Sequence, residues 1–111
     1  MNTVLPVDEN SNAIPVMRLR SGGAHMIASD ATAARNAQAF DAGTSVVSVY
    51  ATEDVYITFG DENVTATSAD HFFPAGIYYD FAIGDEMTGR YSHISVLQVS
   101  TSGNVYVSEK I

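Results

Sequence analysis

The sequence predicts an all-β domain, an antiparallel β-sandwich or jelly-roll-like barrel of about eight short strands with an extended N-terminal arm. Three observations lead there. Short segments of alternating polarity are rich in β-branched and aromatic residues. They recur about every 8–12 residues, with Gly at most of the turns. No strand–helix repeat interrupts them, so no parallel sheet is expected. The chain has 111 residues, 46% hydrophobic and 16% charged, a balance that suits a folded chain rather than a disordered one. Surface scaling at this length allows one domain that buries about 65% of the unfolded chain's surface.

Residues 1–15, MNTVLPVDENSNAIP, place a polar run between two Pro-containing apolar patches. Proline excludes regular helix and biases its predecessor to extended backbone. This segment reads as an arm that orders on a neighbouring subunit, with Val4, Leu5 and Val7 as its partner-binding residues. It has no basic start and no unbroken apolar run, so synthesis in the cytoplasm without export is expected. Residues 16–111 read as a single β domain.

Residues 16–20, VMRLR, alternate and put Arg18 and Arg20 on one face. Ser21-Gly22-Gly23 reads as a turn, and residues 25–28 as the returning strand of a hairpin. Residues 30–40 hold five Ala, and Asp30 could cap a short helix. An Ala face buries little area, so an extended strand or loop is the stronger expectation. Residues 45–51, SVVSVYA, form a strand. After a turn at 52–54, residues 55–59 alternate with Val55, Ile57 and Phe59 inward. A turn at 60–63 leads to a Thr- and Ser-rich extended stretch at 64–69, read as an edge. Residues 71–73 enter the Pro74-Ala75-Gly76 turn. Residues 77–83 make a strand with Ile77, Tyr79, Phe81 and Ile83 on one face, Tyr79 included in the core. Residues 84–89 read as a polar loop. Residues 93–99 and 104–108 read as a terminal hairpin around 100–103.

Composition and spacing argue against most chemistry. The net charge of −8 repels phosphate backbones and anionic lipid, so neither nucleic acid nor membrane is expected as a partner. There is no Cys, hence no thiolate nucleophile or thiolate metal site. His25, His71 and His93 stand apart in sequence. The acidic pairs Asp8-Glu9, Glu53-Asp54, Asp61-Glu62 and Asp85-Glu86 fall in the arm or in turns and form no calcium-loop pattern. No Gly-x-Ser-x-Gly elbow or phosphate loop occurs. No catalytic residue, metal ligand or cofactor is therefore assigned, and the chain is not expected to be an enzyme.

Two features point to docking instead. Tyr56, Tyr78 and Tyr106 fall on outward faces by alternation, and tyrosine suits an interface because it is large, rigid and amphipathic. They are candidates for an oligomer interface. Arg18 and Arg20 make a basic stripe on an acidic chain. It serves either edge protection or docking onto an acidic surface.

From Val46 onward the chain reads VVSVYATEDVYITFGDENVTATSADHFFPAGIYYDFAIG and, after a gap, HISVLQVSTSGNVYVSEK. Its order of features, T-x-D-V-Y-I-x-F-G, an aromatic-Pro-Ala-Gly turn, F-A-I-G and I-S-V-L-Q-V, resembles small bacteriophage virion β-sandwich proteins of the head decoration, or cement, kind. The resemblance covers about 60 of the 111 residues. It implies a non-enzymatic structural protein on the capsid exterior, made in the host cytoplasm. Such a protein binds the major capsid protein and clamps neighbouring capsomers. It also implies a homo-oligomer, a trimer in preference to a dimer, whose arms add avidity. The alternatives are another virion component, such as a tail, fibre or connector subunit, and a carbohydrate-binding β-module.

Overall fold

The structure, a computed structural model, describes residues 17–85 and 89–111. The arm residues Val4, Leu5 and Val7 lie outside the described residues. Ten strands follow in chain order: β1 (Leu19–Ser29), β2 (Ala34–Arg35), β3 (Val46–Ala51), β4 (Val55–Gly60), β5 (His71–Phe73), β6 (Tyr78–Ala82), β7 (Gly84–Asp85), β8 (Gly89–Arg90), β9 (His93–Gln98) and β10 (Gly103–Lys110). Among the described residues there is no helix. The strands form two four-stranded antiparallel sheets, ordered β1-β10-β3-β6 and β2-β9-β4-β5, with β7-β8 as a small ribbon.

Alternation builds the core as expected. Val47, Val49 and Ala51 on β3 and Val105 and Val107 on β10 point inward from the first sheet. Val55 and Ile57 on β4 and Ile94 and Val96 on β9 point inward from the second. Phe40, Phe73 and Ile83 complete a single buried cluster, with Phe59 and Phe81 packed against it. The Ala-rich stretch is extended, with only Ala34 and Arg35 in a ladder, and Asp30 Oδ1 accepts from the Ala31 N–H at 2.8 Å without starting a helix.

Four expectations are corrected. Residues 16–28 are not a hairpin: β1 is one strand along β10, and its register slips between Leu19 and Ala24. Leu19 faces Lys110 and Ala24 faces Ser108, so Arg20, Ser21, Gly22 and Gly23 all stand opposite Glu109. Gly22 takes φ +77, and a Cβ on Gly23 would lie 2.8 Å from the Glu109 Cβ. The two glycines therefore absorb surplus chain inside a strand rather than reverse it. The expected terminal hairpin is also absent, because β9 belongs to one sheet and β10 to the other. Each strand is apolar on its inward face, and the two faces meet across the core, so residues 99–102 carry the chain between layers. Residues 64–69 form no strand. They lie over the second sheet, where the Ala66 N–H donates to Ser95 Oγ at 2.9 Å and Arg35 Nη1 donates to the Val64 carbonyl at 2.8 Å. Gly60 permits this approach, since a Cβ there would meet the Val64 side chain at 2.8 Å. The polar loop expected at 84–89 opens instead with the short β7-β8 ladder.

Candidate docking face

The outer face of the first sheet gathers three of the six exposed aromatic residues among those described, Tyr50, Tyr78 and Tyr106. Met26 on β1 faces Tyr106 on β10, Tyr106 faces Tyr50 on β3, and Tyr50 faces Tyr78 on β6. The four form one row across the whole sheet. Strands lie about 4.8 Å apart, so the row spans about 14 Å. Every member is solvent-exposed: Met26 by 65%, Tyr106 by 45%, Tyr50 by 37% and Tyr78 by 57%. Leu19, opposite Lys110, adds another exposed apolar side chain.

The next row, Ala24, Ser108, Ser48 and Asp80, is small and polar. Ser48 points outward yet is fully buried, and its hydroxyl donates to the Asp80 carboxylate. Lys110 Nζ donates to Asp80 Oδ1 at 3.0 Å and lies 5.2 Å from the centre of the Tyr78 ring. The Asp80 carboxyl is held below its ordinary value of 3.8, first by the Ser48 hydroxyl and then by Lys110, against a smaller opposing effect of burial. Burial alone would lower the Lys110 ammonium. The hydrogen bond to Asp80 and the neighbouring Tyr78 phenol outweigh it, so the net shift is upward from 10.5.

Charge is distributed unevenly around this face. Among the described residues the acidic side chains of Asp30, Asp41, Glu53, Asp54, Asp61, Glu62 and Asp70 lie in loops and turns. Only Asp80 lies on the outer face of the first sheet, and Lys110 neutralises it. An acidic chain thus has one flat face that is aromatic and close to neutral. A flat exposed apolar surface rimmed by polar groups is the ordinary form of a protein interface.

Of the three tyrosines expected to share an interface, Tyr78 and Tyr106 lie together on this exposed face. Tyr56 does not: it is half-buried on the outer face of the second sheet, between Leu97 and Phe72, with its ring 6.4 Å from that of Phe72. Tyr50 and Met26 take part although alternation alone did not single them out. The signal for Tyr50 was present, because Val47, Val49 and Ala51 share one parity and leave Ser48 and Tyr50 on the other. Tyr79 was expected in the core but is 56% exposed, and Ile77 is 44% exposed. Both have inward parity. They sit at the open edge of the sandwich, opposite β5, which is three residues long and does not reach over them.

Arg18 and Arg20 do not form a stripe. Arg18 is exposed beside the chain terminus, where its N–H and carbonyl pair with Ile111, both at 2.8 Å. Arg20 turns inward where the register slips. Its Nε donates to Thr44 Oγ1 at 2.9 Å and lies 4.0 Å from Glu109 Oε1, and its Nη1 lies 3.4 Å from Asp41 Oδ1. Glu109 is buried, and its Oε1 accepts the Asp41 N–H at 2.7 Å and the Thr44 hydroxyl at 2.6 Å. Its Oε2 lies 2.8 Å from His25 Nε2, and the His25 ring meets Phe40 edge-on at 5.3 Å. Each polar group here finds a partner within the chain, so the cluster ties β1, the 41–44 loop and β10 together and offers nothing outward.

Several concave features remain among the described residues. Two, of about 450 and 420 Å³, are wide open to solvent, one along Ala33–Ala37 with Glu62 and His93 and one beside the β7-β8 ribbon. A smaller apolar cleft of about 240 Å³ opens between the sheets, lined by Ile57, Phe59, His71 and Phe81. Ligand pockets usually exceed about 300 Å³ and carry convergent polar groups. Only His71 supplies one here. Among the described residues no three His, Asp or Glu side chains gather as a metal site would require. Comparison with protein-family models, curated proteins and solved structures finds no match to this chain.

Proposed function

We propose that this chain is a non-enzymatic assembly protein that docks on a protein surface through the outer face of its first sheet, as a decoration protein does on the exterior of a phage capsid. The row Met26, Tyr106, Tyr50 and Tyr78 carries this reading: it is continuous across the sheet, exposed and clear of the acidic residues that crowd the turns. The capsid exterior and the major capsid protein enter from the resemblance of residues 46–84 and 93–110 to virion β-sandwich proteins. The chemistry of the face agrees with them. Aromatic anchors on rigid strands lose little conformational entropy on docking, and a body closed by a single apolar core keeps them aligned.

The test uses head shells purified from a phage that carries this gene, with the gene deleted. Purified chain added back is expected to co-sediment with the shells in a constant ratio to the major capsid protein. Tyr50→Lys, which removes the central anchor of the row, is expected to weaken binding about tenfold or more. Wild-type chain left entirely in the supernatant would remove the capsid from the reading. Equal binding by wild type and Tyr50→Lys would remove the tyrosine face.

A further inference from the structure

We infer that the free edge of β6 pairs antiparallel with β6 of a second copy, across a two-fold axis, to make one continuous eight-stranded sheet. The four sheet edges are not alike. β2 is two residues long and β5 three, lengths that limit edge-to-edge pairing. β1 is broken by the register slip at Arg20–Gly23, and its regular half packs onto β2 and β9. β6 is five residues long, in regular register with β3 throughout, and carries no proline, no bulge, no lysine and no inward-pointing charge; its one charged residue, Asp80, points outward and is paired with Lys110.

The phase of its backbone is set by the hydrogen bond just beyond its end, where the Ile83 N–H donates to the Ser45 carbonyl at 2.8 Å in the register that β6 keeps with β3. Odd-numbered residues of β6 therefore turn their N–H and C=O toward β3. Tyr78, Asp80 and Ala82 turn theirs to the open side, where no strand lies among the described residues.

A second copy fits this edge better than an unrelated strand for two reasons. The first is charge. Two chains of net charge −8 repel, yet each brings to this edge only Asp80, already neutralised by Lys110. The second is self-complementarity. Ile77 and Tyr79 have core parity but lack cover, and each is about half exposed. A two-fold lays the same pair from the other copy against them.

Side-chain faces match only in certain registers. Centring on Asp80 sets two carboxylates directly opposite. Centring on Tyr78 sets Asp80 against the Gly76 turn. Centring on Tyr79 avoids both. Tyr78 then faces the second copy's Asp80 on the outer side, within reach of a phenol-to-carboxylate hydrogen bond. Tyr79 faces its own counterpart on the inner side, and Ile77 faces the second copy's Phe81. The Tyr106, Tyr50, Tyr78 row continues into the second copy's Asp80 and Ser48, so the docking face doubles without a break.

The interface is at the small end of specific contacts, so dissociation in the mid-micromolar range is expected. Sedimentation velocity on the full chain, from about 10 to 500 µM, reads it directly. A concentration-dependent monomer–dimer equilibrium is expected. Tyr79→Lys and, separately, Ile77→Lys place a charge on the edge and are expected to raise the dimer dissociation constant about tenfold or more. Two variants are used because Tyr79 also packs on Phe81 at 5.0 Å, and circular dichroism checks that each is folded. Tyr106→Lys, two strands from the edge, is expected to leave the equilibrium unchanged. A monomer at the highest concentration would overturn the pairing. So would a trimer, which needs a head-to-tail contact, and so would a dimer that survives both edge variants. Loss of shell binding with the dimer intact would bear on the docking proposal alone.

Discussion

The two sheets have equivalent inner faces and opposite outer ones. Inside, each offers valines and isoleucines at period two, and the two layers share one core. Outside, the second sheet is roofed by its own chain: residues 61–70 fold back over it, Ala66 is buried, and Ser95 is buried although it points outward. Among the described residues the first sheet has no such roof, and its outward aromatic side chains meet solvent. A chain that can cover one outer face with a loop and leaves the other exposed has separated its stability from its surface. Substitutions inside should unfold the protein, and substitutions on the exposed face should change what it binds.

The largest effect should come from the shared core. Ile57→Ala removes three buried carbons from β4 and is expected to cost about 2–5 kcal/mol in urea unfolding. A loss below about 1 kcal/mol would mean that the second sheet is loosely packed and that the two inner faces are not equivalent. Next comes the one buried charge cluster. Glu109→Ala leaves the Asp41 N–H, the Thr44 hydroxyl and His25 without their acceptor and removes one of Arg20's two carboxylate partners, and is expected to cost about 3 kcal/mol. Arg20→Ala should cost less in that background than in the wild type, because one of its partners is already gone. Full additivity of the two would show that Arg20 acts through Thr44 and Asp41 and not through Glu109.

The sequence was legible wherever local periodicity decides. The strands at 46–51, 55–60 and 93–98 follow from alternation, and so do the inward Val55 and Ile57 and the outward Tyr78 and Tyr106. What periodicity cannot carry is pairing. Residues 99–102 look like a hairpin turn, since a polar Gly-containing link between two strands reads the same whether the second strand returns beside the first or crosses to the facing layer. The same limit put Tyr56 with Tyr78 and Tyr106, because outward parity does not say from which sheet. Gly22-Gly23 read as a reversal because glycine marks unusual backbone, and its purpose here, making room opposite Glu109, depends on a residue 86 positions away. Tyr79 was misplaced for a related reason: its parity is inward, but the facing strand is too short to cover it.

The contrast between the outer faces can be sharpened by a matched pair of changes. Ser95→Ala takes the acceptor from the buried Ala66 N–H and should cost about 1–3 kcal/mol. Tyr106→Ser removes a larger side chain from the open face and should cost under about 1 kcal/mol. Limited proteolysis should then cut the Ser95→Ala variant within residues 61–70 faster than wild type, as the loop lifts from the sheet. If Tyr106→Ser proved the more destabilising of the two, the open face would be holding the fold together, and its exposure could not be assigned to docking.

The smallest effect concerns the Asp80–Lys110 pair beside the tyrosine row, and its sign follows from the two shifts. The folded Asp80 carboxyl lies below its ordinary 3.8, so in acid the unfolded chain binds the extra proton. The pair's contribution is therefore complete above about pH 4 and is lost as the pH falls through the folded value. At the other end the folded Lys110 ammonium lies above 10.5, so its contribution is complete below that value and is lost as the pH rises past the folded one. The Asp80 side chain is 53% exposed, so screening keeps the effect under about 1 kcal/mol and salt reduces it further. Asp80→Asn should then be slightly less stable than wild type near neutrality, and the difference should close as the pH falls below 3.8 and through the folded value. A difference that stays constant across that range would show that neither the Ser48 hydroxyl nor Lys110 stabilises the ionised carboxylate over the neutral side chain. The docking face would then be neutral in net charge without being ordered by that charge.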